Sequence, residues 1–224
     1  MNDLQQWIGK QMNIEISGKK RCKGILIDFG SDIVVIYDGQ QFLYIPLVHI
    51  QHMELSLPTD EIIENPNHVP FDKLGESFSY RKMLDHAKGR FVEIYVTGNK
   101  SIHGYLTNLM NDYFVFYSPI YKTMYISLYH LKWLIPHSSQ VLPYSLSTQS
   151  VPLNPSLASL PQIMKDLCKK LEGKLVIFDL GDHPHKTGLL NRFDPNNHLI
   201  EMVIANGETI YWNFQHLKTL SLCD

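Results

Sequence analysis

Hydrophobic residues recur along this chain in two periods, and the periods alternate in blocks. Met12, Ile14 and Ile16 fall on every second residue, as do Val92, Ile94 and Val96. A period of two marks a strand with one face turned inward. Leu160, Ile163, Met164, Leu167, Cys168 and Leu171 follow helical spacing instead, with Pro161 acceptable in a first turn. Short helices are predicted over 3–8, 80–88 and 160–171. Each precedes a glycine (Gly9, Gly89, Gly173) placed where a helix C-cap belongs. Further strand-like runs follow at Ile33–Tyr37, Tyr113–Tyr117 and His198–Ile204. A third set covers Gln41–Pro46, Thr123–Leu128 and Glu208–Phe214.

The blocks are copies of one unit. A second glycine follows at Gly18, Gly98 and Gly181, and a third at Gly24, Gly104 and Gly188. First to third glycine spans 15 residues in every copy. The second and third glycines are expected to bracket the polar tip of a hairpin. Each unit ends on Tyr, four residues, His, an aliphatic residue, then Gln or Lys. The pairs are Tyr44/His49, Tyr125/His130 and Tyr211/His216. The His–aliphatic pair is expected in a last short strand. The units run 3–56, 80–136 and 160–222. Residues 57–79 and 137–159 read as linkers; both are rich in proline, and the second has no charged side chain.

One helix and about five short strands make a thin sheet with open edges if laid flat. Bending it into a small barrel is the economical solution. The expected fold is mostly β: three tandem small β-barrels, each with a short N-terminal helix.

Helix, bent antiparallel strands and a final Tyr-containing strand pair resemble an Sm-like barrel. Three tandem units, each with a glycine-bounded loop and a Tyr-x4-His-aliphatic tail, resemble spore coat protein B and its relatives in endospore-forming bacteria. The family's tail reads Tyr-x4-His-[Ile/Val]-Lys-Ser-Ile, matched here at all three Tyr/His pairs. Its loop glycines match at Gly18/Gly24 and Gly98/Gly104, and less closely at Gly181/Gly188. The family's Gly-Gly-Pro-Glu-Ser loop has no counterpart, nor has the Ser/Lys-rich tail of its best-known member, so no function of that tail is expected. The resemblance implies a structural component of the spore coat or outer spore layers. It would act through protein–protein contacts with other coat proteins and by self-association, and would be located in the coat or at the outer spore surface.

Charge and composition narrow the alternatives. Lys and Arg number 20 against 22 Asp and Glu, a formal charge of −2. A domain that grips nucleic acid usually carries a basic excess, which argues against nucleic acid as the partner. Lys19, Lys20, Arg21 and Lys23 form the one dense basic cluster, on a predicted hairpin tip. They are the candidate anion or nucleic-acid contact, and an Sm-like RNA- or DNA-binding protein is the alternative reading. The N-terminus lacks a basic segment followed by an apolar one, so synthesis in the cytoplasm without a signal peptide is expected. Apolar runs are far shorter than the roughly 18–20 residues of a membrane span, so no membrane partner is expected.

Candidate chemistry is sparse. The repeated His and Tyr read as a structural network closing each barrel's end. His183-Pro184-His185 with Asp182 offers imidazoles to a metal, but three residues around one proline on a hairpin tip make no closed ligand set. Cys22, Cys168 and Cys223 are too far apart for a zinc motif. No hydrolase, phosphate-loop or zinc-protease motif is present. The expectation is a non-enzyme with no cofactor. Aromatic residues crowd the middle unit, from Tyr113 to Tyr129, and alternation predicts that about half are exposed or meet a neighbouring unit.

Overall fold

The computed structural model describes residues 4–57, 61–66, 69–70, 78–96, 100–137, 144 and 160–223. Most of the second linker, the start of the first predicted helix and Gly98 lie outside the described residues. Repeat 1 holds β1 (Gln11–Ile16), β2 (Lys20–Phe29), β3 (Ile33–Tyr37), β4 (Phe42–Pro46) and β5 (Ile50–Leu55). Helix α1 (Tyr80–Ala87) opens repeat 2, followed by β6 (Phe91–Tyr95), β7 (Ser101–Leu109), β8 (Tyr113–Ser118), β9 (Lys122–Ser127) and β10 (Trp133–Pro136). Repeat 3 holds α2 (Met164–Lys170), β11 (Leu175–Phe178), β12 (Thr187–Asp194), β13 (Leu199–Val203), β14 (Thr209–Asn213) and β15 (Thr219–Leu222).

The chain divides into two compact units, and the division falls inside repeat 2. One comprises 1–95 with 132–141, the other 96–131 with 142–224. In the first unit the strand order is β6-β10-β4-β3-β2-β1-β5. In the second it is β14-β13-β12-β11-β15-β9-β8-β7. Every pairing assigned within them is antiparallel. The fold is therefore mostly β, with antiparallel sheet that stays open at β5 and β14.

Period-two alternation survives where one sheet face is solvated. In β1, Met12, Ile14 and Ile16 are buried and their neighbours are not. It is lost in β3 and β4, whose Ile-Val-Val-Ile and Phe-Leu-Tyr-Ile-Pro runs are buried throughout. Continuous apolar runs are what strands covered on both faces require. For the same reason Tyr113, Phe114, Phe116 and Tyr125 are all buried, and of the crowded aromatics Tyr129 stands most exposed. The first unit's core centres on Met12, Ile14, Leu26, Val34, Ile36 and Ile45. The second's joins Tyr113, Val115 and Tyr125 to Leu167, Phe178 and Leu220.

Three local expectations are corrected. The third glycines do not close a hairpin loop; they lie inside β2, β7 and β12. A Cβ on Gly24, Gly104 or Gly188 would sit 2.4, 2.2 or 2.5 Å from the carbonyl oxygen of Tyr37, Tyr117 or Val203 on the adjacent strand. Just beyond, each long strand slips register by one residue, at Leu26/Asp28, Leu106/Asn108 and Leu190/Arg192. A bulge of this kind bends the strand and increases its twist. The helices are also shorter than the periodicity suggests. The first is a 3-10 turn over Gln5–Trp7, and the third starts at Met164, because 160–163 are held outside the helix by bonds to repeat 2. The loop of repeat 3 folds into two 3-10 turns, Asp179–Gly181 and Pro184–Lys186. Among the first glycines, Gly9, Gly89 and Gly173 have φ of 73–79°, the left-handed conformation a helix stop needs.

Candidate functional site: the repeat junctions

The same two-part junction occurs twice, once in each compact unit. Its first part is strand pairing. β10, the last strand of repeat 2, pairs with β4 of repeat 1, Leu134 opposite Tyr44. β15, the last strand of repeat 3, pairs with β9 of repeat 2, Leu220 opposite Tyr125. Counted from the repeated His, Leu134 and Leu220 occupy the same position, so both junctions share one register. The Tyr of the repeated tail is thus a strand-to-strand contact, and its ring is buried at both junctions.

The second part joins a turn to a helix start. In repeat 1 the Ser31 N–H donates to Phe78 O at 3.0 Å, and Asp32 Oδ1 accepts from the N–H of Tyr80, the first residue of α1, at 2.7 Å. In repeat 2 the Asn111 N–H donates to Gln162 O at 2.9 Å, and Asp112 Oδ1 accepts from the N–H of Met164, the first residue of α2, at 2.8 Å. Helix N-termini leave backbone donors unsatisfied, and a carboxylate supplies both an acceptor and the favourable charge. Sequence reasoning missed these aspartates. The signal available was Ser-Asp and Asn-Asp immediately before the β3 and β8 runs.

The repeated histidines share a backbone position but not an environment. All three close a 3-10 turn just before the last strand, rather than lying within that strand. His49 is buried, and its Nδ1 lies 3.1 Å from Ser17 Oγ of its own repeat. His130 Nε2 donates to Gln215 O of repeat 3 at 3.0 Å. His216 is exposed. Because a carbonyl only accepts, His130 must carry its proton on Nε2. Its pKa is lowered from 6.5, chiefly by burial; Lys218 and His216 add to the fall, while the Gln215 carbonyl and Asp179 oppose it. A depressed His pKa means that the fold favours the neutral ring, so its stabilisation is complete above pH 6.5 and declines as the pH drops through the lowered value. We expect His130 to titrate below 6.5 by NMR. A midpoint at or above 6.5 would contradict this placement.

A cavity of about 370 Å³ opens beside the second junction, lined in part by Asp112, His130, Lys165, His198 and Gln215. Asp112 and His130 are already engaged in the junction bonds, so this wall serves the joint between repeats 2 and 3.

Two members of the basic cluster have partners in the fold. Arg21 Nε bonds Glu15 Oε2 at 3.0 Å. Lys20 Nζ lies 5.7 Å from the centre of the Tyr95 ring, and Lys132 Nζ lies at the same distance. Lys132 also donates to Ser17 O at 2.7 Å, and Tyr95 stacks on Trp133 with centroids 4.1 Å apart. Lys19 is exposed on the turn and Lys23 is half-buried. Two cations over one aromatic ring fasten the β1–β2 hairpin to β6 and β10.

In repeat 3 Asp179 performs an equivalent fastening. It is buried, and its Oδ1 accepts from the N–H groups of Lys218 and Thr219 at 2.9 and 3.1 Å. Its Oδ2 lies 2.8 Å from Lys186 Nζ, which also reaches Asp182 at 2.9 Å. Burial lowers the Lys186 pKa, but the two carboxylates outweigh it and the net shift is upward. The His-Pro-His loop is ordered by its own backbone: His183 Nδ1 accepts from the His185 N–H, and Trp212 Nε1 donates to His185 O. Burial pushes the Cys168 thiol up to about 12; burial and Asp38 push Cys22 to about 11, so both are held protonated and unreactive.

A family model described as "YwrJ third domain" matches residues 164–220, from α2 into β15. The "Uncharacterized protein YwrJ" of Bacillus subtilis (strain 168) is 42% identical over 226 residues, covering 99% of this chain and all of that protein. This chain belongs to the YwrJ family. Among the described residues, no helix is long and apolar enough to cross a membrane. In YwrJ-family terms, the matched third domain carries both the Asp179 fastening and the open edge strand β14.

Proposed function

We propose that this protein is a structural component of the spore coat or outer spore layers, built as three Sm-like barrels and working through protein–protein contacts with other coat proteins. The observation that carries this reading is the junction used twice: the chain is assembled by pairing the edges of like repeats. Three similar units present similar surfaces, and multivalency raises avidity without any single tight site. The repeated Tyr-x4-His tail and a relative from a spore-forming bacterium support the setting. The partners of Lys20 and Arg21, the Tyr95 ring and Glu15, compete with phosphate for these two cations.

A fluorescent fusion expressed in sporulating Bacillus subtilis should ring the developing spore, and the transcript should be confined to the mother cell. Diffuse fluorescence with constant expression in growing cells would overturn the coat reading. Submicromolar binding to mixed single-stranded RNA at physiological salt, lost when Lys19, Lys20, Arg21 and Lys23 are changed to Ala, would favour the nucleic-acid alternative.

A further inference from the structure

The two internal junctions use up four of the six junction edges that three repeats possess. The two left over are of opposite kind. β14 is the Tyr-bearing strand of repeat 3, equivalent to β4 and β9. β5 is the last strand of repeat 1, equivalent to β10 and β15. Each ends its strand order, and neither has a second strand partner among the described residues. An unpaired edge exposes a row of backbone donors and acceptors ready for another strand.

Burial marks the missing partner. Tyr44 is 1% exposed and Tyr125 is 8% exposed, each under the last strand of the following repeat, whereas Tyr211 is 62% exposed. The backbone is set for pairing as well. At the second junction the Ser127 N–H donates outward to Lys218 O at 3.0 Å. Donors alternate sides along a strand, so Tyr125 points its N–H the same way, and so does its equivalent Tyr211. Counting from the repeated His, Leu134 and Leu220 correspond to Met53 in β5. The internal contacts are Tyr opposite Leu, twice; the remaining edges offer Tyr and Met, a residue of similar size to Leu.

We propose that β14 of one copy pairs antiparallel with β5 of a second copy, Tyr211 opposite Met53, His52 opposite Trp212 and Glu54 opposite Ile210, joining chains head to tail by the junction already used within each. This deepens the protein-contact reading by naming a partner, a second copy of this chain, and rests on that reading only in treating the edges as contact surfaces. The turn-to-helix part of the junction is weaker at this end. His198 stands where Asp32 and Asp112 stand, as the Phe214 N–H to His198 O bond shows beside Leu47 to Asp32 and Leu128 to Asp112. The contact between copies therefore relies on the strands and dissociates on dilution.

Light scattering and sedimentation of the full chain across the micromolar range test this. Masses should rise above 25.9 kDa in whole-chain steps. Tyr211→Pro and Met53→Pro each remove an outward N–H on an edge strand, where proline is tolerated. Each alone should raise the concentration for half-association about tenfold or more. Mixed, they should form a two-chain species, because each supplies the edge that the other lacks. Should a proline variant melt early, Tyr211→Lys/Met53→Lys sets like charges opposite and should lose association, while Tyr211→Lys/Met53→Glu should keep it. The proposal is overturned if the wild type stays a single chain at every concentration. It is equally overturned if Met53→Pro associates like wild type, or if well-folded variants fail to complement. A single chain that still rings the spore would defeat this inference and leave the coat reading standing.

Discussion

Asp179→Ala is expected to cost ~3–5 kcal/mol, the range for breaking one side of a buried ion pair. The carboxylate receives two backbone N–H groups at the start of β15 and the Lys186 ammonium, with side-chain exposures of only 7% for Asp179 and 14% for Lys186. Alanine would leave those donors without their acceptor in a poorly hydrated place. It would also loosen the 183–187 loop, leaving the Trp212 indole bond to His185 and the Lys186–Asp182 pair to hold it. Asp179→Asn keeps an oxygen for the two amides and loses the ionic attraction, so it should fall between wild type and Ala. At this chain length the alanine loss corresponds to a melting temperature lowered by roughly 10 °C or more. A variant melting within two degrees of wild type would show that the buried pair contributes nothing net.

Gly104→Ala should also be strongly destabilising. The added methyl would stand 2.2 Å from Tyr117 O and 2.8 Å from Phe116 Cε1, and Tyr117 lies opposite the next residue, Tyr105, in the β7–β8 pair. A backbone carbonyl cannot swing aside as a flexible side chain can, so β7 must separate from β8. Overpacking of this kind costs about 1–3 kcal/mol. Gly207 is the control. Its φ is +85° and nothing lies within 4 Å of the added carbon, so Gly207→Ala carries only the left-handed backbone cost of about 1–2 kcal/mol. A Gly104→Ala variant that melts like wild type would refute the close-approach account of the glycine repeated at Gly24, Gly104 and Gly188.

Much of the local structure was legible because it depends on neighbours in sequence. Alternation in Met12-Asn-Ile-Glu-Ile marked β1, and helical spacing marked the interior of α2. Glycine after each helix matched the positive φ at Gly9, Gly89 and Gly173. Where the reading slipped, the deciding neighbour lay elsewhere in the chain. Gly24 looks like a loop residue until Tyr37 O is seen beside it. The partners of the basic run 19–23, Glu15 beside Arg21 and the Tyr95 ring beside Lys20, are likewise set by other parts of the fold. The repeated His looked like a single device in three copies. Its turn recurs, but what faces it does not: Ser17 beside His49, and Gln215 of the next repeat beside His130.

Periodicity and backbone preference are properties of short stretches, so the mostly β character, the glycine spacing and the Tyr-x4-His tail are legible without any tertiary contact. What the tail tyrosine does depends instead on residues far along the chain. Tyr44, Tyr125 and Tyr211 are indistinguishable in local pattern. The first two lie under a paired strand from the following repeat, and the third is bare because no second strand pairs with β14 among the described residues. Burial of an edge strand is conferred by its partner, and the identity of that partner is not encoded in the strand's own period.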